Sequence, residues 1–274
     1  MSKIEKIFYD ELTFPEVRQI VAEQRVALLP VGTIEQHGPH CPLKVDNACP
    51  SAVCRLAAER VPGDAIVLPC VPYGYGGVNM NFPGTINITE SSLIGYVGDI
   101  LFSLAHHGFS KIIIVNGHFG NPPFLNIAMR RLNAAAYPKT VACILSWPDL
   151  IPQEVLSDLS DSDYGGIGHA GELETSVLLH TDPDLVQMDK AEKEMWNGDL
   201  RSGGAVGAGG TPLGVAAYVG WMGGMGGNEY GIMGDPTVAT AEKGQQWLNH
   251  AAEALVELIG QWKAMPIKEV ADHH

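Results

Sequence analysis

The sequence has no apolar stretch near the ~20 residues that cross a bilayer, so a helical membrane anchor is not expected. Basic side chains are scarce: 17 Lys and Arg against 31 Asp and Glu give a formal net charge of −14. Binding to nucleic acid or to an anionic membrane surface needs the opposite sign, and neither is expected. There are only five cysteines (Cys41, Cys49, Cys54, Cys70 and Cys143), with no CxxC pair among them. An odd set without such pairs fits reduced thiols better than a disulfide framework. The opening "MSKIEKIFYDELTF" mixes charged with apolar residues and lacks a signal-peptide core. These absences together point to a cytoplasmic protein. No repeat or domain boundary interrupts the 274 residues, so a single domain over 1–274, large enough for a substantial core, is expected.

What is present is an alternation of two patterns. Short β-branched runs read as buried strands: "RVALLPV" (25–31), "AIVLPCV" (65–71), "KIIIVNG" (111–117) and "TVACILSW" (140–147). Stretches with helical spacing lie between them, at 47–61, 91–108 and 122–137, and a last helix is expected over 237–262 behind an Asp235 cap and Pro236. Strand–helix alternation implies an α/β fold, a mostly parallel sheet covered by helices on both faces. In such sheets ligands collect where strands end. Residues 197–236 depart from the pattern: they are dense in glycine, with Trp221, Met222, Met225, Tyr230 and Met233 among the glycines. That much apolar surface reads as an ordered excursion, either a lid or a subunit contact.

Chemistry-bearing residues gather at the strand ends. "TIEQHGPH" follows the first strand, with Glu35 and His37 two positions apart, so an extended backbone points both the same way. Asp46 opens the next helix, where a carboxylate is favoured by the helix dipole. His118 lies in "NGHFGN" after the third strand. "GIGHAGELETS" (166–176) adds His169, Glu172 and Glu174. Carboxylates with imidazoles suit zinc, manganese or iron. Each motif alone is weak, since a lone histidine is usually structural and "GELET" can be an acidic first turn. Three separate loops all carrying ligand-type residues are harder to dismiss. Cys41, beside the first cluster, reads as a small buried residue rather than a ligand, and His40 as a hydrogen-bond partner of the ligands.

"LLPVGTIEQHGPH", "VDNACPSAVC", "NFPGTINI", "IIIVNGHFGN" and "HAGELETS" resemble the creatininase (creatinine amidohydrolase) family over about residues 10–262. The resemblance implies a creatininase-like α/β domain with a two-metal hydrolytic site, in a homo-oligomer that is often a hexamer. It implies Glu35, Asp46 and His118 around one divalent cation and His37 and Asp46 around the other, with Asp46 bridging. Where creatininase has a further glutamate ligand, two residues after the "NGH" histidine, this chain has Gly120. Family members with glycine there carry an extra glutamate in "HAGE", so Glu172 is the expected replacement, with Glu174 second. His169 matches the catalytic histidine.

The resemblance does not make creatinine the substrate. A Trp-Asp pair that precedes the catalytic histidine in creatininase is replaced by glycines in "GGIGH", and a tyrosine after "NGH" is Phe119. Phe119, Trp221 and Tyr230 are the expected substrate contacts. The leading expectation is a two-metal hydrolase that opens a small polar cyclic amide at a C–N bond. A hydrolase of a cyclic keto-sugar or keto-inositol, cutting a C–C bond, is the alternative. A metal-binding or sensing protein without catalysis is the third reading, and a retained proton donor at His169 argues against it.

Overall fold

A computed structural model describes residues 4–195 and 229–268 of the chain. Residues 197–228 of the Gly-rich excursion, Trp221 among them, fall outside the described residues. Four parallel strands, β1 (Val26–Val31), β2 (Ala65–Val67), β3 (Lys111–Asn116) and β4 (Val141–Ser146), form one sheet in the order β2-β1-β3-β4. Seven α-helices accompany them among the described residues: α1 (Phe14–Ala22), α2 (Val45–Arg60), α3 (Glu90–His106), α4 (Pro122–Ala136), α5 (Gln153–Leu159), α6 (Glu172–Thr181) and α7 (Ala241–Ala264).

Strand alternation divides the core. Val26, Leu28, Ile113 and Val115 face one side and pack with buried residues of α2, α6 and α7, including Trp247. Ala27, Leu29, Ile112 and Ile114 face the other and pack with α1, α3 and α4. Every residue of β1 and β3 is buried, as expected of strands covered on both faces. The chain leaves β1 for β2 on one side through α2, then comes back across it to β3 on the other side through α3. That reversal opens a crevice beyond the ends of β1 and β3, the place where such sheets bind ligands.

Several boundaries differ from the sequence expectation for identifiable reasons. Regular pairing of β2 ends at Val67, because Pro69 has no N–H to offer, and only an isolated Val31–Val71 bridge continues it. The long last helix starts at Ala241 rather than behind Asp235. Asp235 caps a single turn at Pro236–Val238, while the Thr240 hydroxyl accepts from Lys243 N and caps α7. Helix α1 was not expected. Its signal is a capping box, in which Thr13 N donates to Glu16 Oε2 at 2.7 Å and Pro15 sits in the first turn.

Candidate metal centre

The crevice is built around the first turn of α2. Pro50, inside that helix, has no N–H for the Asp46 carbonyl four residues earlier. The freed carbonyl lies against both strand-end loops. A Cβ on Gly32 would stand 2.3 Å from the Asp46 oxygen, and one on Gly117 2.0 Å from it. Only glycine at both positions lets Asp46 reach the crevice. Gly117→Ala is therefore expected to push the α2 N-terminus outward, lowering both stability and the capacity to bind divalent cations; thermal melting and elemental analysis of the purified variant check this.

Five side chains converge there. His118 Nδ1 lies 3.1 Å from Glu35 Oε2 and 3.2 Å from Asp46 Oδ2. His37 Nε2 lies 3.3 Å from Asp46 Oδ1 and 3.7 Å from Glu174 Oε2. Each Asp46 oxygen thus faces a different histidine. The remaining atoms of the group are tied down. His37 Nδ1 is 3.1 Å from the Glu35 carbonyl and His118 Nε2 2.9 Å from the Tyr75 carbonyl. A proton on each of those nitrogens fixes the other nitrogen as a bare lone pair. Asn79 donates to Glu35 Oε1 at 2.6 Å, leaving Oε2 for the cluster, and Ala170 N donates to Glu174 Oε2 at 2.7 Å.

Glu35 Oε2, His37 Nε2 and Asp46 Oδ2 are buried without a hydrogen-bond partner. Buried donor atoms this close together and without hydrogen-bond partners suit a shared cation. Donors around a tetrahedral zinc with bonds of ~2.0–2.1 Å stand about 3.3–3.4 Å apart, which matches the closer separations. Glu35, Asp46 and His118 form one potential ligand group, His37, Asp46 and Glu174 a second, and Glu35, His37 and His169 a third. The donor set of nitrogens and carboxylates fits divalent cations.

Glu172, expected as the last ligand, is not brought to this cluster. Its carboxylate is fully buried against Lys243 and the 160–162 backbone. At the start of α6, Glu172 and Glu174 are too far apart round the helix to share a face, and Glu174 is the one turned inward. Cys41 also stays out of the potential ligand groups; its Sγ is 3.7 Å from Thr175 Oγ1, and burial pushes its thiol up to about 12. His40, expected as a hydrogen-bond partner of the ligands, bonds instead Thr175 Oγ1 at 2.9 Å, a residue outside the potential ligand groups.

His169 stands at the rim. Its Nε2 is 2.9 Å from the Gln36 carbonyl, its Nδ1 3.8 Å from Glu35 Oε2, and its ring centroid 4.2 Å from that of His37. Burial, then the neighbouring His37 charge, hold its pKa down to about 4, so the ring is neutral at pH 7. Gln36 gave no signal in the sequence. Its side chain donates to the Gly231 carbonyl at 2.8 Å and accepts from Gly38 N at 3.0 Å, joining His169's neighbourhood to the segment that carries Tyr230. Asn121 links the two strand-end loops, accepting from Tyr75 N at 2.9 Å and donating to the Gly32 carbonyl at 3.1 Å. Phe119 and Tyr230 are exposed; Trp221 lies outside the described residues.

When no cation is bound, protons must balance the buried carboxylates. Burial opposes charge on His37, but Asp46, Glu174 and Glu35 outweigh it and raise its pKa to about 9. Against the same burial penalty, Glu35 and Asp46 hold His118 well above its ordinary value. Burial, together with Asp46 and Glu35, raises Glu174 to about 7, whereas His37 and His118 overcome burial to keep Asp46 low. The stabilisation from the raised His37 is full below its unfolded value and is lost as pH rises through about 9. A cation must displace these protons, so its affinity increases with pH toward 9. The slope is up to about tenfold per pH unit for each proton displaced. Competition titrations with zinc between about pH 6 and about pH 9 should show it; a flat profile would contradict it.

The family description "Creatininase: Creatinine amidohydrolase" matches residues 10–259. The creatinine amidohydrolase of Pseudomonas putida is 38% identical over 204 residues, 69% of this chain and 76% of that protein. The mycofactocin precursor peptide peptidase of Mycolicibacterium smegmatis is 34% identical over 256 residues, 90% of this chain and 89% of that one. A 3-dehydro-scyllo-inosose hydrolase of Thermotoga maritima is 24% identical over 262 residues, 92% of this chain and 82% of that one. Among solved structures, a mutant creatininase of the Zn-Zn type is 29% identical with a TM-score of 0.77, covering 96% of this chain and 100% of that one. A manganese creatininase is 30% identical with a TM-score of 0.75, covering 95% of this chain and 100% of that one.

Proposed function

The chain belongs to the creatininase family and is a hydrolase, and from that premise we propose that it opens a small polar cyclic amide at its C–N bond with the help of two divalent cations. One observation carries the two-cation reading: the two Asp46 oxygens face different histidines, and buried donor atoms around them lack hydrogen-bond partners. Glu35, Asp46 and His118 would hold one cation, and His37, Asp46 and Glu174 the other. Zinc, alone or with manganese or iron, suits these donors. Bound cations supply Lewis acidity, which activates water near neutral pH and offsets charge that builds on a carbonyl oxygen.

The protein's own residues supply the rest. Asn79 and the carbonyls of Glu35 and Tyr75 hold the ligands in one orientation, so little reorganisation accompanies reaction. His169 is neutral, with its Nδ1 toward the cluster and its Nε2 held by Gln36, 2.9 Å from the backbone carbonyl and 3.1 Å from the side-chain amide nitrogen. It accepts at Nδ1 a proton from the attacking water, whose oxygen joins the carbonyl carbon, and returns that proton to the leaving nitrogen as the C–N bond breaks and the ring opens. His169→Ala is expected to keep both cations while the rate drops by ~10²–10⁴; metal analysis beside single-turnover kinetics tests it, and loss of metal would reclassify His169 as a ligand.

Phe119, Trp221 and Tyr230 are read as substrate contacts. Of the adjacent pair Gly165-Gly166, a side chain at Gly166 would meet Ser162 at 2.3 Å, and Gly165 sits at φ +92°, a backbone that side chains disfavour, so neither position suits an aromatic wall. This supports a substrate other than creatinine. A keto-inositol cleaved at a C–C bond is the second reading, motivated by the similarity to the Thermotoga 3-dehydro-scyllo-inosose hydrolase. Screening the metal-loaded protein against creatinine, hydantoin, dihydrouracil and keto-inositols separates the two, and turnover confined to keto-inositols would sink the amide reading. All five cysteines are free, which supports a reducing cytoplasm, and among the described residues no helix is long and apolar enough to cross a membrane. Exposed Phe14, Met80 and Tyr96 are available for contacts between copies in the expected homo-oligomer, a hexamer by resemblance; light scattering tests that assembly.

A further inference from the structure

Resting on the reading of His169 as the proton-transferring group, we propose that Glu172 and Lys243 are positioning residues. Their buried ion pair fastens residues 160–162 and so holds the glycine-rich approach to His169 in place.

Glu172 is fully buried and its carboxylate is saturated. Oε2 accepts from Ser160 Oγ at 2.6 Å and Ser162 N at 3.1 Å, and Oε1 from Asp161 N at 3.0 Å and Lys243 Nζ at 2.5 Å. Lys243, in the first turn of α7, also reaches the Val238 carbonyl at 2.9 Å and Asp161 Oδ2 at 2.5 Å. The pair therefore joins three elements: the start of α6, the start of α7 and the loop after α5. None of these atoms belongs to the cation cluster.

Between the fastened loop and His169 runs Gly165-Gly166-Ile167-Gly168, with Gly165 at φ +92°. Glycine backbone has the most freedom to lose on ordering, and this stretch has almost no side chains to hold it. Its order is imposed from outside. The Gly166 carbonyl accepts from Glu172 N at 3.0 Å and Asp235 N at 2.9 Å, and the His169 carbonyl accepts from Met233 N at 2.8 Å. Glu172 thus anchors the stretch twice, through its own N–H and, with Lys243, through Ser160–Ser162. Releasing the carboxylate frees the upstream end, and a drift of about 1 Å in a group that must transfer a proton is enough to cost rate.

Lys243→Met alone leaves Glu172 charged, buried and unpaired, which can prevent folding. The double variant E172Q/K243M removes both charges and is measured beside it. The double variant is expected to bind zinc at the wild-type stoichiometry while backbone amides of residues 163–170 exchange faster with deuterium. On a cyclic amide that the wild type hydrolyses, kcat should fall on the order of 10- to 100-fold with little change in KM. Placed on a His169→Ala background, the same double variant should cost nothing further, because the two changes act through one group. A full multiplicative loss on that background, a loss of zinc, or unchanged exchange and rate would each overturn the proposal. If the wild type hydrolyses no cyclic amide, the proposed reaction fails on its own, and the exchange and zinc measurements still decide whether the pair positions the loop.

Discussion

Asp46→Ala should abolish hydrolysis and leave the purified protein without its metal ions. Asp46 is shared by the groups Glu35–Asp46–His118 and His37–Asp46–Glu174, with Oδ1 toward His37 and Oδ2 toward His118. Removing it takes a charged donor from each position at once and leaves His37 and His118 facing a hole. Metal-assisted hydrolysis draws several kcal/mol of transition-state stabilisation from its cations, so the rate should fall by about 10³-fold or more. Added zinc should restore little of it. Elemental analysis of the variant, before and after incubation with zinc, checks the binding half of this expectation, and wild-type occupancy would contradict it.

Glu174→Gln and Glu172→Gln should fail in different ways. Glu174 lies beside His37 and Asp46, and its amide replacement keeps the shape but loses the charge and the donor. Loss of one of two equivalents of metal is expected, with a rate decrease on the order of 10²–10³ or more. In Glu172→Gln both equivalents should remain. There the Lys243 ammonium loses its buried partner, and lower thermal stability with a smaller rate loss follows. Metal content separates the two variants: if Glu172→Gln loses an equivalent and Glu174→Gln does not, the ligand assignment from the structure is reversed.

The adjacency of residues 172 and 174 shows where sequence reading reaches its limit. Both acids stand in "HAGELETS", and the motif names the turn without saying which side of it faces the crevice. That choice depends on Lys243, 71 residues further on, which packs against the turn and claims Glu172. The alternation of β-branched runs with amphipathic stretches was enough to give the sheet, its parallel sense and its two covered faces, because buried strands and helices each leave a periodic signature. Glu35, His37, Asp46 and His118 were also legible, since each stands at a strand end or helix start and carries ligand chemistry. Gln36, Asn79 and Asn121 were not. They act through hydrogen bonds to residues distant in sequence, and nothing in their local spacing distinguishes a buried amide from an exposed one. Pro50 and Gly117 were visible as residues but not as a pair, because their shared role is to make room for the Asp46 carbonyl.

The most direct test of two cations around Asp46 is anomalous diffraction at the zinc edge from crystals of the zinc-loaded protein. Two peaks about 3.5–4 Å apart are expected. One should lie within bonding distance of Glu35, His118 and one Asp46 oxygen, and the other within bonding distance of His37, Glu174 and the second oxygen. A single peak, or a pair that Asp46 does not touch, would contradict it.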